Sequence, residues 1–241
     1  MSSFDDSPWG DPKFSSEYLE RADLYVVERR RLFSIVQEHV RFFFPEKEGF
    51  SFLDLGCGDG IASEKVLQVK PRSRAVLVDG SADMLERARE RLGERDGVVF
   101  VVKSFENLLN EGIPGGPFDL ALSSLAIHHL DDRGKEGLFR TVFDSLLPGG
   151  WFLNVDLVRG ESPLLEEWQM EMWRLWVEER KAALGVEEDI FGEILRRYKG
   201  TEENRPGTLS FQLEALKRVG FAHVDSFYRY GPFVVFGGRK E

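Results

Sequence analysis

The chain predicts an α/β fold: a doubly wound, mostly parallel sheet of seven strands, with an antiparallel last strand and a helical insertion (lid) before the end. Three observations predict it. Strand-like apolar runs alternate with helix-period segments over residues 50–157. The first strand runs into a glycine-rich turn, F-L-D-L-G-C-G-D-G at 52–60. The last two strand-like runs are separated only by Gly231-Pro232, which reads as a hairpin turn.

Taken in order, residues 1–14 are rich in Ser, Asp, Pro and Gly and read as a loose arm. Residues 17–44 read as one helix, with Tyr25, Leu32, Val36, Val40 and Phe43 near three- and four-residue steps and Pro45 ending it. Residues 1–49 are therefore an N-terminal arm and helix. Alternation follows over a core of residues 50–158: strand 50–55, helix 59–69, strand 74–79, helix 81–92, strand 97–102, strand 118–123, helix 132–146 and strand 150–157. Such alternation implies right-handed parallel β-α-β units with helices on both faces. Residues 159–206 interrupt it. There the helix 164–180 bears Leu165, Trp168, Met172, Leu175 and Trp176 on one broad face and Met170, Trp173 and Val177 on a second stripe. A helix apolar nearly all round needs cover on more than one side, so it reads as a lid or a homodimer contact. A short helix over 187–199 follows. Residues 207–241 close the sheet with helix 208–219, Gly220 and strands 221–230 and 233–237.

The glycine turn limits its ligand. A dinucleotide fingerprint is G-x-G-x-x-G. Gly56 and Gly58 match it, but Gly60 comes one place early and Ile61 takes the third position. Asp54 and Asp59 flank the turn and repel the phosphates that such a helix N-terminus otherwise attracts. An NAD-dependent oxidoreductase is disfavoured on both counts. A phosphate-free ligand with a cationic end fits better, and S-adenosylmethionine (SAM), with its ammonium and sulfonium, is one.

Four segments in this order resemble the class I SAM-dependent methyltransferases, whose core is Rossmann-like: F-L-D-L-G-C-G-D-G at 52–60, A-V-L-V-D-G-S at 75–81, F-D-L-A-L-S-S-L-A-I-H-H-L at 118–130 and L-L-P-G-G-W-F-L-N at 146–154. The resemblance spans roughly residues 50–158 and implies a set of cofactor contacts. Gly56, Cys57 and Gly58 wrap the methionyl part, and Asp54 helps hold the ammonium. Asp79, about twenty residues past the turn, accepts from both ribose hydroxyls, with Gly80 and Ser81 beside it. Met84 packs on the adenine. The third strand is followed by Lys103, Ser104 and Phe105 where the family often has an acid; Ser104 is left to accept from the adenine amino group and Phe105 to wall the base. Ser123 ends the fourth strand beside the transferred methyl, and Tyr25 closes over the cofactor. The product would be S-adenosylhomocysteine. The tail also resembles that of carboxy-SAM synthases, in which an arginine just before the closing helix holds a carboxylate; Arg205 matches that place.

Composition narrows the partners. The 241 residues hold 32 basic and 42 acidic side chains, a formal charge of −10. That balance disfavours nucleic acid and anionic membranes, leaving a small-molecule substrate. A single cysteine excludes an internal disulfide. The N-terminus lacks the basic start and apolar stretch of a secretory signal, and no apolar run is long enough to span a bilayer, so a cytoplasmic location is expected.

Other candidates have two readings each. Cys57 is a thiol near a helix N-terminus, or simply a small residue in a tight turn; the second is favoured. His128 and His129 supply a general base and a substrate contact, or cap a loop. Of the two, His128 is the better catalytic candidate. Their surroundings lack the third and fourth ligands of a metal site, so no metal is expected. Asn154 and Asp156 share one strand face and touch substrate or tie down the lid. Arg205 holds an anion or is a surface residue before Pro206. The function expected is methyl transfer to a small molecule; a carboxy-SAM synthase-like enzyme and a non-catalytic SAM-binding protein are the alternatives.

Overall fold

A computed structural model describes residues 8–199 and 204–241. One seven-stranded sheet runs β3-β2-β1-β4-β5-β7-β6. Strands β1 (Ser51–Leu55), β2 (Arg74–Asp79), β3 (Val98–Val102), β4 (Phe118–Ser124) and β5 (Leu146–Leu157) pair in parallel. β7 (Phe233–Arg239) runs antiparallel to both β5 and β6 (Ala222–Tyr230), as the hairpin requires. Strand order reverses between β1 and β4, and ligands of open α/β sheets bind outside the carboxyl ends at such a switch.

Side-chain alternation sorts the core into two layers. Phe52, Leu77, Leu120 and Leu122 point to one face, where α2 (Arg29–Phe43), α3 (Ile61–Val69) and α4 (Ala82–Leu92) bring Val36, Val66 and Leu85. Leu53, Leu55, Val76, Val78 and Phe152 point to the other. There α5 (Phe105–Glu111), α6 (Asp132–Ser145) and α9 (Leu209–Val219) bring Leu108, Phe139 and Leu216. Both faces are covered, which is why the strands read as near-continuous apolar runs.

The N-terminal region departs from expectation. The helix expected over 17–44 is two helices, α1 (Pro12–Tyr25) and α2. Glu28 between them is left-handed, with φ 51°, and Val26 is extended. Both Val26 and Val27 are buried, so the core takes these β-branched side chains from a kinked link. Trp173 Nε1 then donates to the Tyr25 carbonyl at 2.9 Å, a group that a continued helix would have used. The arm expected to be loose is ordered from Pro8: Pro8–Gly10 form a short 3-10 turn, and Asp11 caps α1 by accepting from the Lys13 amide at 2.9 Å. Residues 1–7 lie outside the described residues.

The insertion contains α7 (Pro163–Leu184) and α8 (Ile190–Lys199). Only one side of α7 is covered: Trp173 and Val177 are buried, whereas Trp168 is 57% exposed and Leu175 51%. The stripe expected to be second is thus the packed one. α5 was not expected; it is a single short helix held by a capping box between Ser104 and Asn107. Among the described residues no helix is long and apolar enough to cross a membrane.

Candidate active site

The sequence-marked turns meet at the carboxyl edge of the sheet, around a cavity of about 210 Å³. Gly56, Cys57, Gly58, Asp79, Gly80, Ser81, Met84, Ser104 and Phe105 all line it. Gly56 has φ 62°, and a Cβ there would lie 2.4 Å from the Ala126 Cβ. Only glycine allows the turn to pass that close to the β4 loop.

Asp79 organises the floor. One carboxylate oxygen accepts from the Gly58 amide at 2.8 Å and the other from the Ser81 amide at 2.8 Å. It thereby ties the β1 turn to the β2 turn. Burial pushes its pKa up, and the two amide bonds pull it back. Ser81 then caps α4, accepting from the Met84 amide at 3.3 Å. Cys57 is buried, and burial beside Asp79, Asp54 and Asp59 raises its thiol well above the usual value. It is an inert small residue of the turn.

Three expectations change. Asp54 does not reach the cavity wall. It is fully buried behind the turn, with one carboxylate oxygen accepting from Ser63 Oγ at 2.6 Å and the other without a protein partner. Burial lifts its pKa to about 7. Ser123 also misses the wall: strand alternation turns its hydroxyl inward to donate to the Leu55 carbonyl at 2.7 Å, and Ser124 faces the cavity instead. Tyr25 lies away from this cavity, its hydroxyl donating to Glu193 at 2.7 Å. The charge argument against phosphate is also weaker than expected, because Asp59 is paired with Arg91.

A second pocket of about 90 Å³ adjoins the first, sharing Trp9, Tyr18, Leu125 and His129 with it. Its walls are mostly aromatic, with Phe14, Tyr25, Trp173, Tyr198 and Phe233 drawn from α1, α7, α8 and β7. His128 borders it. The ring is buried, and Nδ1 lies 2.6 Å from Asp156 Oδ1. Asp156 is held in turn by the Leu157 amide at 2.9 Å and Asn154 Nδ2 at 3.2 Å. The polar pair on β5 therefore supports the histidine rather than the lid. Arg205 lines the first cavity, and its amide donates to the His128 carbonyl at 2.9 Å.

Sequence reasoning missed Trp9 and Tyr18 on the first cavity and Trp173 and Tyr198 on the second. One signal was present: Asp11 followed by Pro12 is a helix start, and it would have ordered the arm that holds Trp9. Among the described residues there is no group of three or more His, Cys, Asp or Glu placed to hold a metal ion.

Comparison with known proteins agrees with this geometry. Residues 53–152 match the family model of a methyltransferase domain. Malonyl-[acyl-carrier protein] O-methyltransferase 2 of Ilyobacter polytropus is 30% identical over 126 residues, 50% of this chain and 46% of that protein. The matched region thus spans about half the length of that relative. The carboxy-S-adenosyl-L-methionine synthase of Trichodesmium erythraeum is 25% identical over 248 residues, 99% of this chain and 92% of the relative. The solved structure of an O-methyltransferase family protein from Burkholderia thailandensis superposes with a TM-score of 0.68 at 16% identity, covering 98% of this chain and 63% of that one. Residues 53–152 thus match a methyltransferase-domain model, and the chain shares its fold with a solved O-methyltransferase family protein.

Proposed function

We propose that this protein methylates an oxygen of a small, largely apolar acceptor, using SAM as donor and His128 as base. The His128–Asp156 pair, with His128 on the wall of the second pocket, is the observation that carries this reading. The first cavity fits the donor in kind: a glycine turn that admits close backbone approach, and a carboxylate at the end of β2. When bound, SAM supplies a methyl group activated by its sulfonium, and S-adenosylhomocysteine is left.

The chain's own residues then have three tasks. Asp79 positions the ribose side by giving up or sharing its amide bonds. The aromatic walls of the second pocket exclude water and align the acceptor, and alignment alone is worth ~7–11 kcal/mol. His128 takes the acceptor proton. A carboxylate only accepts hydrogen bonds, so Nδ1 is the protonated nitrogen facing Asp156, and Nε2 is the basic one. Nε2 would hold the acceptor proton while bound SAM supplied its activated methyl group. The relatives named as O-methyltransferases support oxygen as the acceptor atom.

A second reading is a carboxy-SAM synthase-like enzyme. Arg205 on the wall of the first cavity and the nearly end-to-end match to such a synthase favour it. A non-catalytic SAM-binding protein is not favoured, because the second pocket adjoins the first rather than being filled.

One experiment separates them. Native mass spectrometry of freshly purified protein should show SAM or S-adenosylhomocysteine, and an acceptor panel of phenols and carboxylic acids should give turnover that is lost in His128→Gln. A carboxylated SAM adduct would instead establish the synthase reading. Absence of any adenosyl ligand, with no calorimetric binding of S-adenosylhomocysteine, would end both.

A further inference from the structure

Lys135 stands on α6 with its side chain wholly removed from solvent. Lysine is almost never buried to this degree unless its ammonium is fully partnered. Here Nζ donates to the Leu130 carbonyl and, at 2.6 Å, to the Arg205 carbonyl, with Asp132 at 3.9 Å. The two carbonyls belong to segments far apart in the chain. Leu130 follows the 3-10 turn Ile127–His129, and Arg205 lies on the return from the helical insertion. The segments also meet directly, through the Arg205 amide on the His128 carbonyl.

Both segments deliver groups to the site: His128 to the second pocket, His129 to both and Arg205 to the first cavity. We propose that Lys135 is the positioning residue of this site, its buried ammonium locking the His128 turn and the Arg205 segment to each other. The inference rests on the methyltransferase reading in treating His128 and Arg205 as site groups, but its readouts need no turnover.

The charges around the ammonium come from three sides: Asp131 and Asp132 at the start of α6, Asp156 on β5, and Arg205 from the facing segment. Burial lowers the Lys135 pKa, and the three acids push it back up. The groups against His128 are Asp156, at 2.6 Å from Nδ1, and the His129 ring at 4.1 Å.

The test uses the whole protein and the variant Lys135→Met. Histidine side-chain resonances are compared by NMR at one pH, assigned with His128→Gln, and S-adenosylhomocysteine binding is measured by calorimetry. The expected result is a His128 side-chain resonance displaced from its position in the unsubstituted protein and binding weakened by roughly tenfold. A folded variant with a lower Tm, an unmoved His128 resonance and unchanged binding would make Lys135 merely structural and overturn the proposal. A measurement on the unsubstituted protein guards against a variant that does not fold. The Lys135 ammonium should give a slowly exchanging 15N resonance, and exchange at the rate of an exposed lysine overturns the assignment. If the unsubstituted protein binds no S-adenosylhomocysteine, the functional reading fails, while the His128 resonance and the ammonium exchange still decide the role of Lys135.

Discussion

The two walls of the site are built in opposite ways. The cofactor-side wall comes from three consecutive strand–turn–helix units, at 55–61, 79–84 and 102–105. Each piece is specified locally, by a left-handed glycine, a strand-end carboxylate or a helix cap. The wall of the second pocket, proposed above for the acceptor, draws Trp9, Tyr25, His128, Trp173, Tyr198 and Phe233 from six separate elements or links. None of these has a local signature, because a buried aromatic looks the same in a pocket wall and in a core. The same fold can therefore keep one ligand and change the other, since local turn chemistry and long-range packing vary independently.

The sharpest way to break this division is at His128. His128→Gln should lower kcat by roughly 10²–10⁴ while leaving S-adenosylhomocysteine affinity unchanged. Calorimetry and a methyl-transfer assay on one preparation check both halves, and a loss of affinity would show that the walls are not separable.

The next largest effect belongs to neither wall and tests the frame beneath both. His39 is packed against Phe43 and Trp151, at ring distances of 4.4 and 4.6 Å, and neither ring nitrogen has a partner. Burial lowers its pKa from 6.5 to about 4. Between those values the unfolded chain takes up a proton that the folded chain refuses. The associated stability is fully present above pH 6.5 and is lost as pH falls toward 4, by about 3 kcal/mol. Urea unfolding at pH 7.5 and pH 4.5 should show the drop, and His39→Phe should flatten it; an equal drop in the variant would place the effect elsewhere.

On the cofactor side, Asp79→Ala removes the acceptor for two backbone amides and should weaken S-adenosylhomocysteine binding by roughly 10–100-fold. The fold should survive, so an unchanged dissociation constant measured on folded protein would remove Asp79 from the site. The smallest effect is expected from Trp173→Phe. It deletes the donor to the Tyr25 carbonyl and should cost about 1 kcal/mol in unfolding free energy. In an acceptor assay it should raise the acceptor KM and leave S-adenosylhomocysteine affinity alone. The reverse pattern would mean that α7 serves the first cavity.

Legibility in the sequence follows the same division. Gly56, Asp79, Ser81 and Met84 were all identified from short-range pattern and resemblance, and all stand on the first cavity. Asp54 and Ser123 were identified by the same means and stand off the wall, because alternation along a strand decides orientation and one place makes the difference. Tyr25 was placed on a continuous helix. The left-handed Glu28 and the buried Val26–Val27 link, which break that helix, are responses to the core and leave no mark in periodicity.

Strand–helix alternation, the closing hairpin and the glycine turn were decided within a few residues of chain, because backbone sterics and side-chain period act over that range. The second pocket, the His128–Asp156 pair and the buried Lys135 bridge exist only once segments distant in the chain are packed together. Their energies come from desolvation and from partners supplied across the fold, and neither is present until the chain has closed on itself.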